Sequence, residues 1–197
     1  MKPNSGQDLD ALMRSEIHRL GILLGHSLTR QEGPQLFELV EKIRTLSKDN
    51  PSEVAKLLAH IDLDSAIKLA RAFSVYFHLA NITEQFFRSQ DRALERKTNG
   101  TWLSQVASRI KAAGIKQETI EEAFQNLHVR PVFTAHPTEA SRRSVLVKLK
   151  RIAELLSEKY STSSLTIVND DQFSEIIDLL WQTDELRLER PEVLDEA

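Results

Sequence analysis

From Asp8 to about Arg30, apolar residues fall at Leu9, Leu12, Met13, Ile17, Leu20, Leu24 and Leu28. Steps of three or four are the period of a helix with one buried face. Gly33-Pro34 then supplies a cap and a first-turn proline for a second helix, with Leu36, Phe37, Val40 and Ile43 inward. Asp49-Asn50-Pro51 breaks that helix, and a short one is expected from Ser52 to about His60. Asp62 or Asp64 can cap a long helix carrying Ile67, Ala70, Phe73, Phe77 and Ala80, then Phe86-Phe87. Arg92 to Asn99 reads as a charged connector, and Asn99-Gly100 as a turn. Helices follow over Thr101–Ala113 and Gln117–Leu127 with Gly114 between them, then over about Thr138–Glu158 and Asn169–Arg187. The last two are joined by Ser161-Thr162-Ser163-Ser164.

One segment departs from this texture. Val129-Arg130-Pro131-Val132-Phe133-Thr134 is short, β-branched and aromatic, and a helix does not hold Pro131 there. It is read as a lone strand over 129–134, which must pair with strands this chain does not contain. The fold class is therefore mainly α, a helical bundle with one short strand. The expected division is a helical region over 1–128, followed by that strand and its helices over 129–197.

Composition narrows the function classes. The 197 residues hold 6 glycines and 6 prolines, too few for the corners of an all-β sandwich or barrel. With no cysteine there is no disulfide framework, thiolate metal site or cysteine nucleophile. The formal charge of −3 gives no general attraction to nucleic acid or to an anionic membrane. No apolar run approaches the ~20 residues of a membrane span, and no signal-peptide core follows Met1. The chain is read as soluble and cytoplasmic.

The stretch with chemistry in it is Phe133-Thr134-Ala135-His136-Pro137-Thr138-Glu139-Ala140-Ser141-Arg142-Arg143. Pro137 suits a first helical position, which places His136 at the cap beside unpaired backbone N–H groups. Helix starts attract anions, and Arg142 and Arg143 strengthen that pull. An imidazole there exchanges a proton near neutral pH, its unperturbed pKa being about 6.5. Spacing alone equally allows a histidine hydrogen-bonded to a nearby carbonyl. The run Arg142, Arg143, Lys148, Lys150 and Arg151 also fits the solvated face of a helix whose opposite stripe is Val145, Leu149, Ile152 and Leu156. No aromatic residues interleave with the run, so nucleic-acid binding fits it less well.

Thr134-Ala135-His136-Pro137-Thr138-Glu139 with Arg142-Arg143 resembles the first signature of the phosphoenolpyruvate carboxylase family. Glu41–Ser47, Ala70-Arg71-Ala72-Phe73-Ser74, Leu79–Gln85 and Leu180-Trp181-Gln182-Thr183-Asp184-Glu185-Leu186-Arg187 resemble family segments in the same order. The resemblance implies a large homotetrameric enzyme, helix-rich around an eight-stranded barrel, in which 129–134 is a barrel strand. It implies conversion of phosphoenolpyruvate and bicarbonate to oxaloacetate and phosphate with magnesium or manganese. It implies that His136 is the base or proton carrier of the carboxyphosphate step. It further implies that Arg142, Arg143 and Arg187 bind an anionic effector, as plant-type members bind a sugar phosphate.

Family members are several times longer, and their metal-binding carboxylates, phosphoenolpyruvate-gripping cations and glycine-rich loop have no match here. The chain is accordingly read as the amino-terminal part of such an enzyme, inactive alone, its partner being the remainder of the same polypeptide. The competing reading is a stand-alone helical module that binds a protein partner or a small anion without catalysis. His18, His26, His60, His78 and His128 lack metal-ligand spacing and are read as structural or surface groups. Asn81 and Glu84 are read as a buried polar pair, Trp181 as core, and Asp184 and Glu185 as local ion-pair partners of Arg187.

Overall fold

The computed structural model describes residues 6–132, 142–160 and 168–185. They form eight helices: α1 (Gly6–Glu32), α2 (Pro34–Asp49), α3 (Pro51–Leu58), α4 (Leu63–Asn99), α5 (Trp102–Ala112), α6 (Gln117–Gln125), α7 (Arg143–Tyr160) and α8 (Asp170–Trp181). The mainly α class is as the periodicity implies. Breaks occur where local chemistry demands them. Gly33 adopts φ 89°, a left-handed conformation open to glycine, and Pro34 starts α2 immediately afterwards. Asp62, of the two candidate caps, is the one used: its Oδ1 accepts from the Ser65 backbone N–H at 2.9 Å and its Oδ2 from the Ser65 hydroxyl at 2.7 Å.

Contacts divide the chain into two compact units, Met1–Phe87 with Ser141–Leu188, and Arg88–Ala140 with Glu189–Ala197. The first holds the core. Leu20, Leu24 and Leu28 of α1 meet Val75 and Leu79 of α4, Val145, Ile152 and Leu156 of α7, and Phe173, Ile177 and Leu180 of α8. Phe173 is fully buried, a contribution of roughly 2–3 kcal/mol from transfer out of water. Gly25 admits the Phe37 ring against α1, since a Cβ there would lie 2.7 Å from that ring. A buried polar knot ties α1 to α7. Glu16 accepts from Lys159 Nζ at 2.8 Å and from the Tyr160 hydroxyl at 3.0 Å, and also pairs with Arg19.

The second unit holds the end of α4, then α5 and α6, and neither α5 nor α6 buries a residue. Trp102, Leu103, Phe124, Leu127, Val129 and Val132 are all exposed there.

Four expectations need correction. Arg92–Asn99 is the last stretch of α4, not a connector; arginine, alanine, leucine, glutamate and lysine all favour helix, and the charges on it face solvent. The buried face of α4 is Leu69, Ala72, Val75, Leu79, Thr83 and Phe87, whereas Ile67 and Phe77 are exposed. The strand expected over 129–134 does not form over 129–132, which carry no regular structure; 133 and 134 lie outside the described residues. No other described segment is a strand, so the ladder hydrogen bonds such a strand needs have no source among the described residues. The last helix ends at Trp181 rather than at Arg187, because the carbonyls of Trp181 and Thr183 are taken by Arg71.

Candidate active and anion-binding site

His136 and Arg187 lie outside the described residues. Arg142 and Arg143 stand at the start of α7, Arg142 half-buried and Arg143 exposed. The first turn of α7 contains no acidic residue, so two cations sit at the partly positive end of a helix. Asp184 offsets this from across the unit, its Oδ2 lying 3.6 Å from Arg142 Nη2. The chemistry of such an end suits a phosphate or carboxylate ligand. Farther along α7, Arg151 pairs with Glu154 and Glu158 at 3.2 and 3.0 Å, so this part of the basic run is a compensated, solvated face. Val145, Ile152 and Leu156 are fully buried opposite it, as the stripe requires.

Residues 181–185 are gripped by α4. Arg71 donates to the Trp181 carbonyl and, at 2.7 Å, to the Thr183 carbonyl, while its guanidinium lies 5.0 Å from the centre of the Trp181 ring. Ser74 donates to Glu185 Oε1, and His78 Nε2 reaches the same oxygen at 2.7 Å. A carboxylate only accepts, so His78 carries its proton on Nε2 here. The backbone N–H of Arg142 donates to the Glu185 carbonyl at 3.1 Å. Trp181 is core, as expected, and its indole N–H donates to Glu32 Oε1 at 3.0 Å.

Asp184 faces Arg142, and Glu185 is bonded by Ser74 and His78; the pairing expected of both with Arg187 lies outside the described residues. Asn81 is exposed, so it is not half of a buried pair. Arg71, Ser74 and His78 were not legible as a cluster, although they lie one and two turns apart on one face of α4. The available signal was polar residues at helical spacing among apolar ones.

A groove of about 440 Å³ lies elsewhere in the same unit, between α1, α2 and α4, walled by Ile22, Phe37, Val40, Phe73 and Phe77. None of the candidate residues lines it. Glu41 and Arg44 form an ion pair at its rim, and the Arg44 hydrogen bonds hold the Glu41 carboxyl below the usual carboxylate range. Among the described residues, no three His, Asp or Glu side chains come together as metal ligands. No described helix is long and apolar enough to cross a membrane.

Comparison with known proteins agrees with the sequence signature. The phosphoenolpyruvate carboxylase family model matches residues 13–197. The phosphoenolpyruvate carboxylase of Actinobacillus pleuropneumoniae is 33% identical over 196 residues, 94% of this chain and 22% of that protein. That of Bradyrhizobium diazoefficiens is 34% identical over 215 residues, covering 100% of this chain and 23% of the relative. That of Acinetobacter baylyi is 36% identical over 206 residues, 97% of this chain and 23% of the relative. The chain thus spans between a fifth and a quarter of the length of these relatives. Matched over nearly all of its residues, the chain belongs to the phosphoenolpyruvate carboxylase family.

Proposed function

We propose that this chain is the amino-terminal part of an enzyme that carboxylates phosphoenolpyruvate with bicarbonate, giving oxaloacetate and phosphate. The observation that carries this reading is the family match over residues 13–197, which includes the whole His-Pro-Thr segment and the arginines after it. In this reading a bicarbonate oxygen attacks phosphorus and the enol oxygen leaves, giving carboxyphosphate and an enolate. His136 takes the carboxyl proton of carboxyphosphate. The bond from carbon to the phosphate oxygen then breaks, releasing carbon dioxide and phosphate, and the enolate carbon attacks carbon dioxide to form oxaloacetate. His136 returns its proton to phosphate. A neutral imidazole suits this step because it accepts a proton near neutral pH.

Arg142, Arg143 and Arg187 are assigned to an anionic effector, which the cationic start of α7 supports through bidentate guanidinium–phosphate geometry. The family uses a divalent metal, read here as magnesium or manganese. The described residues do not fit such an ion, and its ligands are assigned to the rest of the enzyme. The exposed apolar residues of α5, α6 and the segment to Val132 favour continued polypeptide as their partner, within a cytoplasmic homotetramer.

Oxaloacetate formation, measured by coupling to malate dehydrogenase, tests the proposal. The 197-residue chain with phosphoenolpyruvate, bicarbonate and magnesium gives none. A protein of the relatives' length carrying these residues gives bicarbonate-dependent oxaloacetate. Failure of the longer protein to do so refutes the carboxylase reading, and activity of the short chain refutes the division of labour.

A further inference from the structure

The residue that follows the signature segment is held by groups with no part in the proton transfer. Arg142 directly follows residues 133–141 in the sequence. Its backbone N–H is bonded to the Glu185 carbonyl at 3.1 Å. Glu185 in turn is fixed through its side chain by Ser74 and by His78 at 2.7 Å. Two residues earlier, Arg71 holds the Thr183 carbonyl at 2.7 Å and the Trp181 carbonyl. Arg71, Ser74 and His78 belong to a long, regular helix whose adjoining face, Ala72, Val75 and Leu79, is anchored in the core. A rigid rod therefore carries three donors, and they converge on one five-residue segment whose last carbonyl receives the chain emerging from the signature.

We infer that Arg71, Ser74, His78 and Glu185 are positioning residues: they form a clamp on residues 181–185 that sets the start of α7, and through it the downstream anchor of the His136 segment. The catalytic part of this inference rests on the carboxylase reading, whereas the clamp itself does not. Charge-assisted bonds dominate it, and such bonds are stronger and more directional than neutral ones. The Arg71 guanidinium also stacks on Trp181, so the clamp is continuous with the core. Displacement of a reacting group by about 1 Å lowers rates on the order of 10²-fold, so a group that only holds position can govern turnover.

Two measurements separate the clamp from the carboxylase reading. In the 197-residue chain, amide hydrogen exchange at Arg142 reports the clamp directly. Glu185→Ala raises that exchange at least about tenfold, Glu185→Gln, which keeps an acceptor oxygen for Ser74 and His78, restores it, and exchange at Ile152 stays unchanged. Ser74→Ala, a smaller change, gives an intermediate value and guards against a variant that fails to fold. Unchanged Arg142 exchange in Glu185→Ala overturns the inference whatever the enzyme does. In the longer enzyme, Glu185→Ala lowers kcat about tenfold or more while KM for phosphoenolpyruvate stays within about twofold, and Glu185→Gln recovers kcat. An active wild-type enzyme whose kcat is untouched by Glu185→Ala overturns the positioning role. A longer wild-type protein with no carboxylation refutes the carboxylase reading instead, leaving the exchange result standing for the clamp.

Discussion

Glu16 shows how one residue can organise two helices. It falls on the apolar stripe of α1, between Leu9, Leu12 and Leu20, and is 3% exposed. Burial alone pushes its carboxyl up, but the hydrogen bonds and charges of Arg19 and Lys159 together outweigh burial and hold it below the ordinary range. Tyr160, which donates to Glu16, is pushed well up by burial and then by the Glu16 charge, so it remains protonated. A carboxylate with a lowered folded pKa adds stability that is present above the ordinary carboxylate range and is lost as pH falls through the folded value. Glu16→Gln is expected to cost about 2–3 kcal/mol at pH 7, below the range for a fully buried pair because Arg19 and Lys159 are partly exposed. It is also expected to flatten the loss of stability between pH 6 and pH 3, read by urea melts across that range. A variant with wild-type stability at pH 7 and wild-type acid sensitivity contradicts this. The sequence offered a signal here, a glutamate at helical spacing among leucines, but a charged residue on such a stripe is indistinguishable from a solvated one until its partners from α7 are in place.

The elements themselves were largely legible, because apolar period, proline and capping residues act locally. Asn169 begins α8 through a full capping box: its side chain accepts from the Gln172 backbone N–H, and the Gln172 side chain accepts from the Asn169 backbone N–H. Asn169→Ala is expected to destabilise the chain by about 1 kcal/mol, measured by thermal or urea unfolding, and Asn169→Ser by much less. Equal stability of Asn169→Ala and the parent chain contradicts the cap assignment. Where reading failed, the deciding partner was remote in sequence. Arg92–Asn99 looks like a connector only if charge is taken for irregularity, yet straight-chain charged residues extend α4 as readily as apolar ones. The end of α8 is set by Arg71, more than a hundred residues earlier. The segment 129–132 has strand composition but lacks a strand to join among the described residues, so composition alone could not predict its conformation.

At the scale of the molecule, the two units differ in how complete they are. The unit built from α1 to α4, α7 and α8 closes a core around Phe173 and the α1 leucines. The unit with α5 and α6 leaves Trp102, Leu103 and Phe124 each at least 70% exposed, the surface expected of a part that packs against more protein. The candidate site divides in the same way. Family membership was legible from short collinear motifs, and Arg142 and Arg143 do stand together at a helix start. The clamp from α4 was not legible, because it joins motifs far apart in the chain. His136 lies outside the described residues, so its role rests on the signature and on chemistry.

We propose that this chain supplies the proton-carrying histidine, His136, of a carboxylase. Steady-state kinetics of His136→Asn, in an enzyme of the relatives' length, test it most directly. Loss of general acid–base help predicts a fall in kcat on the order of 10²–10⁴-fold, with KM for phosphoenolpyruvate changed no more than a few-fold. Turnover equal to the parent enzyme contradicts the account, and so does a loss confined to KM.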